Sequence, residues 1–314
     1  MRFFSKARKT AGLLAIAFDG EGACAARVSH AEGTRPVVHL ATHFAAPQPR
    51  SAELLSRIVK ELHAGAFQCS ALLSGGEYQL LAVEAPTVPA EELKTAVRWR
   101  LKDMLDFAAD QATIDVLDIP VEKSSNGRAN TLFAVAARNT VIETRQNLFL
   151  GAGLQLSVID IPEMAQRNIS ALLEPEGRGV AMLSFDADGG LLTVTYKAEL
   201  YLARRIDLTL DQLLDSDYDR KHVCYDKITL ELQRSLDHFE RQYSFISISK
   251  LVLAPTGATG LDEYLSSNLY TKVETLDLAG VLDIAAVPEL AAPAVQQRFF
   301  LALGAALRRE DQAA

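Results

Sequence analysis

The chain has 314 residues, 49% of them hydrophobic, with a formal net charge of −8 and a pI near 5.4. At about 150 residues per domain that is enough for two domains with real cores, and an acidic surface that repels phosphate excludes a nucleic-acid binder. The three cysteines, Cys24, Cys69 and Cys224, are scattered and never form a C-x-x-C pair. Neither a disulfide framework nor a zinc knuckle is expected, and a reducing compartment fits.

The basic start, with Arg2, Lys6, Arg8 and Lys9, precedes an apolar run from Leu13 to Phe18 and then Ala23-Cys24-Ala25, which together imitate a secretory signal. Asp19 and Glu21 fall between the run and the supposed cleavage point, so the run is read as a first core strand. It is far short of the ~20 apolar residues that span a bilayer. Basic residues at ~1 kcal/mol each give at most a weak adhesion to an anionic membrane surface.

Strands are expected at Leu13 to Phe18, Ala23 to Val28 and Val37 to Phe44, a meander punctuated by Gly33 and Pro36. Ser51 caps a helix with Leu54, Leu55, Ile58 and Leu62 on one face and Gly65 as its stop. Apolar runs follow at Ala71 to Leu73 and Leu80 to Val83. From Pro89 to Leu105 an amphipathic helix carries Leu93, Val97, Leu101, Met104 and Leu105 in one stripe, with Trp99 nearly opposite it. Thr113 to Val121 and Thr131 to Ala137 form a hairpin across a polar turn at Ser124 to Gly127. A helix from Thr140 to Leu150, a strand from Gln155 to Ile159 and a helix after Pro162 close the first half. The second half restarts as a meander at Val180 to Phe185, Leu191 to Tyr196 and Leu200 to Arg204. A long helix through Ile228, Leu232, Leu236, Phe239 and Tyr243 follows. A strand at Lys250 to Ala254, a helix at Asp262 to Leu269, a strand at Lys272 to Leu276 and a helix near Phe299 to Leu307 complete the chain.

The two halves share a motif. Ile16-Ala17-Phe18-Asp19-Gly20-Glu21-Gly22 and Leu183-Ser184-Phe185-Asp186-Ala187-Asp188-Gly189 both read Phe-Asp-x-acid-Gly, each in a strand-turn-strand setting. The period is a whole lobe, unlike the 20–50 residues of solenoids. With Val88-Pro89-Ala90-Glu91-Glu92-Leu93, Arg98-Trp99, Phe133-Ala134-Val135-Ala136-Ala137-Arg138, Val158-Ile159-Asp160-Ile161-Pro162-Glu163, Leu232-Gln233-Arg234-Ser235-Leu236-Asp237 and Ala302-Leu303-Gly304-Ala305-Ala306-Leu307-Arg308, the chain resembles the PilM/MshI family of actin-like pilus-assembly proteins. The resemblance covers nearly the whole chain. It implies an α/β, actin-like, two-lobed fold of ribonuclease H-like repeats, with an inserted subdomain of the FtsA/PilM type. Residues 11–87 and 138–178 would be the first lobe, 88–137 the insert, and 179–308 the second lobe with a helical part near 208–245.

An actin-like phosphate turn places an Asp two residues before a Gly, so that backbone N–H groups cradle phosphate and the Asp helps hold hydrated Mg²⁺. In the most natural register Ala17 and Ser184 stand at the aspartate positions, while Asp19 and Asp186 replace the glycines and Glu21 and Asp188 add carboxylates. Like charges ~4 Å apart repel by about 4 kcal/mol at an effective dielectric of 20, so the set disfavours a triphosphate. A one-residue slip giving Asp19 and Asp186 the aspartate role would turn each strand's faces over. The adenosine run is Pro255-Thr256-Gly257-Ala258-Thr259-Gly260; Pro255 lacks an N–H, and Gly257 and Gly260 keep the permissive backbone. These residues form either an adenosine pocket or ordinary strand-to-helix turns. The degenerate phosphate and adenosine set is therefore Asp19, Gly20, Gly22, Asp186, Gly189, Gly257 and Gly260.

Other chemistries find less. Gly20-Glu21-Gly22-Ala23-Cys24-Ala25 matches G-x-G-x-x-A, but a second strand follows where a dinucleotide site needs a helix, and no acid stands about 20 residues on. His30, His39, His43, His63, His222 and His238 show no metal-ligand spacing and are expected as surface or edge residues, so no metal is assigned. Neither a hydrolase elbow nor a P-loop is present. Trp99, on the polar side of its helix, is either a partner anchor or packed beneath a neighbouring subdomain.

The resemblance implies a cytoplasmic scaffold at the inner face of the inner membrane, peripheral to it. Such a scaffold binds the N-terminal tail of a PilN-like bitopic membrane protein in a groove between the first lobe and the insert. No catalytic residue and no cofactor are expected. The alternative is a working actin-like ATPase using ATP and Mg²⁺, and a third reading is a homo-oligomeric structural subunit with neither ligand.

Overall fold

A computed structural model describes residues 13–31, 33–120 and 130–308. The basic start and the polar turn expected at Ser124 to Gly127 lie outside them. Two five-stranded sheets share one plan. In the first, β1 (Leu14–Asp19), β2 (Gly22–Ser29) and β3 (Val37–Ala45) run antiparallel, and β4 (Gln68–Leu72) and β8 (Gln155–Asp160) add in parallel, in the order β3-β2-β1-β4-β8. In the second, β9 (Gly179–Asp186), β10 (Gly189–Tyr196), β11 (Glu199–Ile206), β12 (Ile248–Leu253) and β13 (Val273–Thr275) repeat it as β11-β10-β9-β12-β13. The repeat seen in two heptapeptides is thus a repeat of whole sheets.

Between β4 and β8 the chain leaves the first lobe. It forms β5 (Tyr78–Glu84), α2 (Leu93–Leu101), β6 (Ala112–Asp118) and β7 (Thr131–Arg138), and β5-β7-β6 make an antiparallel sheet of their own. The fully buried Val97 and Leu101 of α2 pack on Val83, Ile114 and Leu132 of that sheet. The sheet takes its first strand ten residues before Val88, the expected start of the insert, because β5 pairs with β7 and with no strand of the first lobe. The helix expected from Pro89 to Leu105 is shorter: Ala90–Glu92 is a 3₁₀ turn and the chain tightens after Leu101, leaving Met104 half exposed.

Local rules account for some element ends. Ser51 accepts the Leu54 N–H at 3.2 Å and starts α1 (Ala52–Leu62) as expected. The stop is not Gly65. His63 takes the left-handed conformation (φ 52°, ψ 39°) that ends the helix, a conformation costing roughly 1–2 kcal/mol for a residue with a Cβ. Its side chain is exposed, so His63→Gly relieves the strain and loses little contact. Net of the extra unfolded-state entropy of glycine, we expect a gain of about 0.5–1 kcal/mol, read as a higher urea midpoint. A lower midpoint would show that the His63 side chain contributes more than its backbone costs.

The remaining helices are α3 (Asn139–Gly151), α4 (Pro162–Ser170), α5 (Leu210–Leu213), α6 (Tyr218–Gln242), α7 (Leu261–Asn268), α8 (Leu278–Val281) and α9 (Pro293–Ala306). Two of them join the lobes. The last helix, α9, packs on β1 and β2 of the first sheet, while α4 packs on β9 and β10 of the second. One core runs between the sheets, from Ala15 and Ala26 through Ile169, Phe300 and Leu303 to Met182.

Candidate functional site

Each motif forms a two-residue turn. Asp19 pairs with Gly22 across Gly20-Glu21, and Asp186 pairs with Gly189 across Ala187-Asp188. Within each turn the strand's own aspartate takes a backbone donor: Asp19 Oδ1 accepts from the Glu21 N–H at 2.9 Å, and Asp186 Oδ1 from the Asp188 N–H at 2.8 Å. These N–H groups sit in the turns where a phosphate cradle would be built. Ala17 and Asp19 are two residues apart, so they share the face of β1 that borders the cleft. Moving the aspartate role from one to the other therefore leaves the strand's faces unchanged, which corrects the expectation drawn from a one-residue slip.

The turns border a single cleft of about 790 Å³ between the lobes. Asp19, Gly20 and Asp186 line it; Gly22 and Gly189 do not, and serve the backbone instead. A side chain on Gly22 would run into the Phe44 carbonyl oxygen, and a Cβ on Gly189, at φ 123°, would lie 2.8 Å from that of Ile206. The cleft is acidic, with Asp19, Glu21, Asp186, Asp188 and Asp211 against Arg50 and Arg298. Both arginines are engaged: Arg298 with Glu21 at 3.0 Å, and Arg50 with Glu77 at 3.0 Å and with Ser74. Burial pushes the Asp186 carboxyl above the ordinary carboxylate range, with Arg205 opposing and Asp188 adding to the shift.

Ser184 is used for packing. Its hydroxyl donates to Gln166 Oε1, and the Gln166 amide donates to the Met182 and Leu191 carbonyls and to Thr193 at 2.9–3.1 Å, so a fully buried glutamine of α4 is satisfied by the second sheet. Across the cleft the Gly75 N–H donates to Asp188 Oδ2 at 2.7 Å, tying the second turn to the first lobe. Gly257 (φ 73°) lines a separate pocket of about 380 Å³ with Pro255 and Thr256; Gly260 (φ 85°) precedes α7 and does not line it. The run from Gly20 to Ala25 enters β2 and no helix, as the dinucleotide motif would require.

The paired sheets, each three antiparallel strands extended by two parallel ones, with a third sheet inserted in the first lobe, can now be compared with known proteins. No family sequence profile matches the chain, and no curated protein does. Among solved structures it is similar to the PilM–PilN type IV pilus biogenesis complex, with TM-score 0.74 and 21% identity over 95% of this chain and 98% of that one. It is also similar to a Bacteroides thetaiotaomicron protein of unknown function with an actin-like ATPase fold, at TM-score 0.51 and 9% identity over 93% and 99% of the two chains. This chain has the actin-like fold.

A second concavity lies where the first actin-like lobe meets the insert. A groove of about 270 Å³ is lined by Val158 and Ile159 of β8, Ile142 of α3, Asp115 of β6 and Val135 of β7. Its walls include β8, an edge of the first sheet, and β6, an edge of the inserted one, so among the described residues both carry backbone groups free of a neighbouring strand on one side. Trp99 is 72% exposed on α2 and lies outside this groove, which settles against packing beneath a neighbouring subdomain. Sequence spacing missed Cys24, His43 and Arg298, which the fold gathers around Asp19. Among the described residues no helix is long and apolar enough to cross a membrane.

Proposed function

We propose that this chain is a scaffold of a type IV pilus assembly complex of the MSHA kind, holding the N-terminal tail of a PilN-like membrane protein at the inner face of the inner membrane. The observation that carries the scaffold reading over an ATPase is the state of the two turns. Each spends a backbone donor on its own aspartate, and the surrounding cleft holds five carboxylates against two paired arginines. The partner is suggested by the likeness, over nearly the whole of both chains, to the PilM–PilN complex. The groove supplies a physical mode: an extended tail adds as a strand to β8 or β6 and sets alternate side chains on Val135, Ile142, Val158 and Ile159. Such a tail orders on binding, so its affinity is modest, and concentration at the membrane compensates.

Two measurements test this. Titration with millimolar Mg-ATP or Mg-ADP is expected to leave the melting temperature unchanged, whereas a ligand at 100 times its Kd would stabilise by about 2.7 kcal/mol; such a rise would restore the ATPase reading. Fluorescence titration with a peptide of the tail is expected to show binding that Val158→Asp weakens at least tenfold, by placing a second carboxylate beside Asp115 among the Val135, Ile142 and Ile159 side chains. Trp99→Ala reports on the other face. Loss of binding there, with Val158→Asp unaffected, moves the partner site to α2.

A further inference from the structure

We propose that Asp19, Cys24 and His43 form a binding site for a divalent metal of the zinc class at the base of the first turn. The inference is independent of the scaffold reading. Asp19 ends β1, Cys24 is the third residue of β2, and His43 stands directly opposite Cys24 on β3. One ligand atom from each residue lies within 4.8 Å of the others; Asp19 Oδ2 is 3.2 Å from His43 Nε2 and 3.7 Å from Cys24 Sγ. Tetrahedral zinc, with bonds of about 2.0–2.3 Å, holds neighbouring ligand atoms roughly 3.3–3.8 Å apart, so the two separations from Asp19 already match an ion's shell and the third lies within reach of it. Thiolate and imidazole select a borderline-soft ion over Mg²⁺, and thiolate plus carboxylate neutralise its charge. Asp19 and Cys24 border the cleft, which leaves the fourth coordination position to water.

Arg298 packs against the site from α9. Its Nη1 lies 3.4 Å from His43 Nδ1 while Nη2 holds Glu21 at 3.0 Å. A guanidinium only donates, so Nδ1 accepts and the Nε2–H faces Asp19. On binding, Nε2 gives up its proton and turns its lone pair to the metal, Nδ1 takes one proton from solvent, and Arg298 swings out with Glu21. The Cys24 thiol loses its proton to solvent as the metal–sulfur bond forms, so one proton is released per ion and no electron is transferred. Burial and the Asp19 carboxylate hold the Cys24 thiol above its ordinary range, with Arg298 opposing. Asp19 and Arg298 are the charged groups acting on the sulfur, and His43 stands opposite it across the β2–β3 pair.

Cobalt(II), added alone to the chelator-treated full chain at pH 8, is the probe. Expected are one ion per chain, a thiolate-to-cobalt charge-transfer band, intense tetrahedral d–d bands, and displacement by zinc with a rise in melting temperature. His43→Gln, at an edge strand, and Cys24→Ser are each expected to abolish the bands, and Arg298→Gln to tighten binding at least tenfold. Circular dichroism checks the fold, and should Cys24→Ser fail to fold, His43→Gln carries the test. Bands that persist in folded His43→Gln, or that vanish instead with Cys69→Ala or Cys224→Ala, overturn the site. So does the absence of stoichiometric binding in both the natural chain and Arg298→Gln.

Discussion

Glu163→Ala is expected to lower the unfolding free energy by about 3–5 kcal/mol, because it leaves a partly buried charge without its ion-pair partner. Glu163, on α4, is 2% exposed; it meets Arg205 of β11 at 3.1 Å and accepts the hydroxyl proton of Tyr78 from β5. Arg205 also donates to the Tyr78 oxygen at 2.8 Å, so three residues from α4, the inserted sheet and the second lobe close a triangle. Burial raises the Tyr78 phenol well above its ordinary range, the Glu163 charge adds to that, and Arg205 opposes it. With Glu163 gone, the Arg205 guanidinium, one of whose nitrogens already lacks a partner among the described residues, keeps only the neutral Tyr78 hydroxyl from this triangle. The Arg205 side chain is 33% exposed, so water recovers part of the loss and the lower end of the range is expected. Glu163→Gln keeps the shape and a bond to Tyr78, and should cost about 1.5–3 kcal/mol. Urea unfolding checks both, read as a fall in midpoint at constant slope. A loss under about 1 kcal/mol for Glu163→Ala would mean the triangle contributes no net stability.

Local chemistry was readable and distant pairing was not. The meanders, the Ser51 cap and the long helix α6 follow from alternation, a side-chain acceptor and helical spacing, all visible within a dozen residues. The insert begins before Val88 because Tyr78 finds Ala137, nearly sixty residues on, and nothing local marks β5 as belonging to another sheet. The stop of α1 is hidden because a left-handed histidine at His63 has no sequence signature when Gly65 stands nearby. For the candidate site, the two aspartate turns were legible and their hydrogen bonding was not. The turn pairing of Asp19 with Gly22 already places Cys24 opposite Ala17. Placing His43 against Cys24 needs the register of β2 on β3 across a long connection and a bulge, which only the folded sheet supplies. The groove between β8 and β6 is likewise a meeting of two edges from different sheets.

Gly304→Ala should cost about 2–3 kcal/mol, although alanine is the better helix former by about 1 kcal/mol. Gly304 lies in α9 where it crosses α4, and a Cβ there would collide with the backbone carbonyl of Ala165. Backbone cannot rotate away as a side chain can, so the helices must separate. Asn168 holds them in register by donating to the Gly304 carbonyl at 2.9 Å. The separation opens the core that joins the two sheets, where Ile169, Phe300 and Leu303 meet. It also reaches the cleft, since α9 carries Arg298, the residue that clamps Glu21. Gly280→Ala is the control: among the described residues nothing lies within 4 Å of a Cβ there, and a gain of about 0.4–1 kcal/mol is expected. If Gly304→Ala proves as harmless as Gly280→Ala, the α4–α9 crossing is loose and the lobes are not held by it. If it destabilises as expected while Gly280→Ala does not, close approach of the helices fixes the two turns relative to each other. That rigidity suits a scaffold presenting a groove, and opposes the lobe closure by which an actin-like ATPase would respond to its nucleotide.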